Sequence, residues 1–150
     1  MRSRARRLSP QPWPWIGARR VLVEHPDESR GMALVSALRE AGYAVALCPG
    51  PTESERCPLL DCEGCAVTEG ADAVVSCLDF DEAEAREVLR ALRLQRPSTP
   101  VVVGSSAEPA ESSSSLLKAD AVVSDGAPRR VVAAVHEVLA GNDPEGADGA

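Results

Sequence analysis

The stretch R19-R-V-L-V-E-H-P-D-E-S-R-G-M-A-L-V-S-A-L-R-E-A-G-Y-A-V45 decides the fold class. It opens with a short apolar run, Val21-Leu22-Val23, which stops at Glu24-His25-Pro26. Helical spacing takes over, with Leu34, Val35, Leu38 and Ala41 on one face. Asp27 stands where a helix N-cap is wanted, and Gly42 where a helix C-terminus wants positive φ. Tyr43 to Leu47 then reads as a second strand. A strand, a helix and a second strand within thirty residues form a βαβ unit, whose two strands run parallel.

The alternation continues downstream. Ala73 to Leu78 reads as a third strand. Ala85, Val88, Leu89 and Leu92 recur at helical spacing, with Asp79 or Asp81 available as the cap and Pro97 and Pro100 as the stop. Val101-Val102-Val103 is a fourth strand and Ala121-Val122-Val123 a fifth. Between them the run Ser112 to Ser115 has low helix propensity, although Leu116 and Leu117 could anchor a short helix. Pro128 opens a last helix with Val131, Val132, Val135, Val138 and Leu139 on one face, ended by Gly141. The predicted fold is α/β: a three-layer, doubly wound, five-stranded parallel sheet in the flavodoxin-like order 2-1-3-4-5. The absence of a G-x-G-x-x-G after the first strand argues against a dinucleotide-binding arrangement.

Composition agrees with one such domain. The 150 residues are 44% hydrophobic but only 3% aromatic, so Val, Leu and Ala must build the core. The formal net charge of −7 opposes general binding to a nucleic-acid backbone. No apolar run approaches the roughly 18 residues that span a bilayer. Arg6-Arg7 suggests a targeting signal, but Pro10, Pro12 and Pro14 occupy the place of its apolar stretch. Residues 1–18 therefore read as a disordered, basic, Pro-rich tail, residues 19–141 as the domain, and 142–150 as a disordered acidic tail. A cytoplasmic location is expected.

Residues 19–141 resemble the receiver domains of response regulators, most clearly from the first strand to the turn Ala41-Gly42-Tyr43. Such domains hold a divalent cation on an acidic pair after the first strand and are phosphorylated on an Asp after the third. A Ser or Thr follows the fourth strand, and a Lys follows the fifth. Acyl-phosphate chemistry needs this set: a carboxylate nucleophile, a hard cation on oxygen ligands and a fixed positive charge. Residue by residue, the acidic pair falls on His25 and Pro26, the phosphoacceptor on Cys77, the hydroxyl on Ser105 and the lysine on Asp125. Only Ser105 keeps its type. A slip of two residues would offer Asp79 as acceptor with Glu24 and Asp27 as cation ligands, still without the lysine, since Lys118 precedes the fifth strand. The resemblance so implies a regulatory module, not an enzyme, that is not phosphorylated. It would work through a protein partner or as a homodimer, using the fourth strand, fifth strand and last helix.

A second feature is independent of that resemblance. Cys48, Cys57, Cys62 and Cys65 fall in a Pro- and Gly-rich loop spaced C-x8-C-x4-C-x2-C, where the second helix of the fold should lie, and Cys77 follows in the third strand. Four thiolates could close a tetrahedral zinc site. The spacing from Cys57 to Cys65 also suits iron–sulfur ligation if Cys48 or Cys77 supplies the fourth ligand. A thiol switch and plain packing as small apolar residues are the other readings. The alternative function is therefore a cysteine-ligated metal or redox sensor. His25 and His136 are the two histidines, and neither belongs to a Ser-His-Asp set.

Overall fold

A computed structural model describes residues 18–51, 66–104, 119–123 and 125–141. Five strands form one parallel sheet in the order β2-β1-β3-β4-β5. They are β1 (Arg20–Glu24), β2 (Ala44–Cys48), β3 (Ala73–Ser76), β4 (Val101–Val103) and β5 (Ala121–Val122). The helices are α1 (Glu28–Glu40), α2 (Ala66–Gly70), α3 (Ala83–Gln95) and α4 (Pro128–Gly141). The predicted class, strand number and strand order are those observed.

Strand alternation divides the core into two layers. Val21, Val23, Val75 and Val102 face α1 and α4, meeting Leu34, Val35, Leu38, Val131 and Val135. Leu22, Val74, Val101 and Val103 face the other way, onto Ala85, Val88, Leu89 and Leu92 of α3. Central strands buried on both faces explain the near-continuous valine runs.

The helix ends follow local chemistry. Asp27 is the N-cap of α1, and its Oδ1 accepts the Arg30 N–H at 3.2 Å. At the other end Tyr43 N–H donates to Leu38 O and Gly42 N–H to Arg39 O, the paired bonds of a Schellman motif. That motif needs a left-handed residue, and Gly42 has φ 101°. Ala41 is the exposed C-cap instead of a member of the buried face.

Three other expectations are corrected. Neither Asp79 nor Asp81 caps α3, because Asp79 Oδ1 is already taken by the Asp81 N–H at 3.1 Å. Glu82 occupies the cap position without a side-chain bond. Strands β3 and β5 each stop short of their predicted ends, and Tyr43 lies before β2. The short helix α2 was not anticipated, since five residues carry too little periodicity to read.

Candidate functional site

Open α/β sheets bind ligands beyond the carboxyl ends of their strands. Here a cleft of about 490 Å3 lies there on the α1/α4 side, and its lining includes His25, Arg30, Cys77, Gly104, Asp125 and Gly126. Three of the residues picked out in the sequence, His25, Cys77 and Asp125, therefore meet in one place. Pro26 does not join them. It lines a separate depression on the α3 side with Pro49, Pro51 and Asp79. Ser105 lies outside the described residues.

Cys77 forms the floor. It directly follows β3, and the residue is 7% exposed. Its N–H donates to Glu24 O at 2.8 Å, tying it to the end of β1. Burial pushes the thiol up to about 12; the neighbouring Glu24 carboxylate pushes the same way, and a hydrogen bond with the Gly104 backbone opposes both. At neutral pH the thiol therefore stays protonated, and the nucleophilic thiolate is scarce. Gly104 is required by space: a Cβ there would stand 2.9 Å from Cys77 Sγ. At Gly126, with φ 62°, a Cβ would likewise stand 2.9 Å from the Gly104 carbonyl oxygen.

His25 and Asp125 form opposite walls. The Asp27 N–H donates to His25 Nδ1 at 3.0 Å, which leaves the ring proton on Nε2. Partial burial lowers the His25 pKa, with the nearby Asp27 opposing this and Arg30 adding to it, so the ring is neutral at physiological pH. Asp125 Oδ1 accepts the Ala127 N–H at 3.1 Å, and Oδ2 accepts from Arg130 at 3.1 Å. The backbone bond, aided by the Arg130 charge, holds its carboxyl below the usual range. Asp125 thus presents a carboxylate to the cleft. Arg30, at the rim and 79% exposed, leans 3.9 Å from Asp27.

The cleft's donors do not suit a hard cation, which needs several converging oxygens. Its β1 wall offers a neutral imidazole, its floor a protonated thiol, and the Asp125 carboxylate is engaged by its own loop. Glu24 does not supply the missing oxygen, because its side chain points to the α3 face. Asp79 is exposed and closes a turn. Among the described residues no group of three or more His, Cys, Asp or Glu is placed to hold a metal ion.

The zinc and iron–sulfur readings rest on Cys57, Cys62 and Cys65, which lie outside the described residues. Cys48 ends β2, and its sulfur accepts the Gly50 N–H at 3.4 Å. Cys77 faces the opposite side of the sheet from Cys48 and packs in the α1/α4 layer.

With this geometry in hand, comparison with solved structures gives a consistent result. The chain is similar to a CheY-like response-regulator receiver domain protein from Methanospirillum hungatei, with 19% identity and a TM-score of 0.60, covering 87% of this chain and 100% of that one. It is also similar to an orphan response regulator of H. pylori, at 18% identity and a TM-score of 0.57, over 82% of this chain and 98% of that one. A putative pilus assembly protein from Burkholderia thailandensis matches at 17% identity and a TM-score of 0.60, over 81% and 98%. No protein-family model and no curated protein sequence matches the chain. The fold is that of receiver domains.

Two contributors escaped the sequence reading. Gly104 is demanded by a sulfur across the sheet, which no local pattern reveals. Arg30 sits one helical turn beyond the cap, where an exposed arginine carries no signal of its own. Glu24, the buried carboxyl that ends β1, lies directly before His25 of the cleft wall.

Proposed function

We propose that this domain is a regulatory, protein-interaction module on the receiver fold that does not accept a phosphoryl group and catalyses no reaction. The observation that carries this reading is the pairing of Cys77 with Asp125. The floor of the cleft is a protonated, buried thiol, and the wall across from it is a carboxylate. Phosphoryl transfer to this floor would need an ionised nucleophile, a cation to gather the phosphoryl oxygens and a fixed positive charge nearby. The residues present supply the reverse: a neutral acceptor beside a negative wall.

A module of this kind works by presenting a surface. By likeness to receivers, the surface is that of β4, β5 and α4. Val122 on the two-residue β5 is 44% exposed, which supports an apolar contact there with a protein partner or a second copy. Among the described residues no helix is long and apolar enough to cross a membrane.

Beryllofluoride, a phosphoryl mimic, tests the reading. In the presence of magnesium the 19F spectrum is expected to show only free fluoride species, and the amide spectrum to stay unchanged. A protein-bound fluorine resonance overturns the proposal.

A further inference from the structure

We propose that Glu24 is a proton-operated latch beneath the cleft: with its carboxyl protonated the ends of β1, β2 and β3 close over it, and loss of that proton loosens them. Glu24 is the last residue of β1, and β1 lies between the other two strands. It pairs in register with Cys48 of β2 on one side and Ser76 of β3 on the other. In a parallel sheet these partners share a face, and here it is the aliphatic face covered by α3. Glu24 is 3% exposed and Ser76 1%. Ser76 Oγ lies close enough to ease the charge on the carboxyl, yet it has no well-formed hydrogen-bond partner.

Among the described residues the surroundings offer the ionised form little beyond the Ser76 hydroxyl. Among the described residues no lysine or arginine pairs with Glu24. Arg86 of α3 spends its guanidinium on the Phe80 carbonyl at 2.6 Å. Around the depression above this face the charged groups are acidic, namely Asp79, Glu82 and Glu84. On α2 the buried polar residue is the neutral Thr68, and Glu69 is exposed. His25, next in sequence, is on the opposite face and neutral, and Asp27 is committed to capping α1. Across β3, the Cys77 thiol is made harder to ionise by a charge on Glu24. A carboxylate without a counter-charge in such a place reaches water only if the structure gives way.

What gives way is set by the backbone. The bonds flanking the carboxyl are Cys77 N–H to Glu24 O at 2.8 Å and His25 N–H to Cys48 O at 2.9 Å. Both lead directly into residues that line the cleft. Protonation of Glu24 therefore governs how firmly the cleft floor and one wall are held. Burial raises this carboxyl from 4.5 to about 7, Ser76 opposing, so the closed state binds the proton more tightly than the opened one. Opening then becomes easier as pH rises from about 4.5 and levels off above about 7.

The test is NMR on the full chain. The Glu24 side-chain carboxyl carbon, assigned with Glu24→Gln, is expected to titrate near neutrality. Exchange of the Cys77 and His25 amides, normalised to an unstructured peptide of the same sequence, is expected to lose protection by about a hundredfold from pH 5 to pH 8. In Glu24→Gln protection stays flat. Titration of the carbon in the ordinary glutamate range overturns the proposal, because the carboxyl then reaches water in the closed state. Neutral-range titration with flat protection in the wild type also overturns it, since Glu24 would then be a passive buried acid.

Discussion

Carboxylates sit at both ends of this sheet and do opposite things. At the amino-terminal end Asp72, just before β3, accepts the Arg20 N–H of β1 at 2.8 Å. Asp120, just before β5, accepts the Val101 N–H of β4 at 2.7 Å and the Arg93 guanidinium at 2.9 Å. Each stitches a pair of adjacent strands, and each has donors aimed at it. At the carboxyl-terminal end, among the described residues, Glu24 is buried beside the Ser76 hydroxyl, and Asp125 faces the cleft while accepting an N–H from its own loop. A carboxylate stitches the sheet where a neighbouring strand aims an N–H at it, as at Asp72 and Asp120; Asp125 takes its N–H from its own loop, and the buried Glu24 is the charge-sensitive one.

The largest expected effect comes from Glu24. A folded-state pKa of about 7 against 4.5 unfolded means that the native state holds a proton which the unfolded chain has lost. The penalty is absent below about pH 4.5, accumulates as pH rises, and is complete above about 7. Glu24→Gln should thus stabilise the protein by about 3 kcal/mol at pH 8 and hardly at all at pH 4, in urea melts at the two pH values. Equal effects at both would remove the contrast between the two ends.

Asp120→Ala acts in the other direction and at the other end. It strands the Val101 N–H and the Arg93 guanidinium, and a loss of about 2 kcal/mol is expected by the same melts. A smaller loss, about 1 kcal/mol, is expected for Gly104→Ala, whose Cβ meets Cys77 Sγ. Because the clash is with that sulfur, Cys77→Ala should make the second substitution nearly neutral, and additive losses in the double variant would refute the contact. Asp125→Ala should leave the melting temperature unchanged, since its ion pair with Arg130 is exposed on both sides. A clear loss of stability would show that the cleft wall is structural like the opposite edge.

The fold was legible because its determinants are local. Val21-Leu22-Val23 and Val101-Val102-Val103 are unbroken apolar runs, and Asp27 and Gly42 end α1 by side-chain and backbone chemistry that sequence displays. The cleft was partly legible: once strand ends are aligned, topology alone brings His25, Cys77 and Asp125 together. Glu24 was not legible. Strand alternation predicts its face, but its isolation depends on what α3, β2 and β3 place there, and all of those contacts are long-range. Asp79 misled for the opposite reason, because its carboxylate is consumed two residues away before it can reach the helix. For the cysteine loop, of the four candidate ligands only Cys48 lies within the described residues.

The central claim is that a receiver fold carrying Cys77 and Asp125 at these positions takes no phosphoryl group. Intact-mass spectrometry after incubation with acetyl phosphate and magnesium tests it most directly. An unchanged mass, over the time in which a phosphorylatable receiver is labelled, is the predicted result. A stoichiometric gain of one phosphoryl group, mapped to any residue of the cleft or to Asp79, would contradict it.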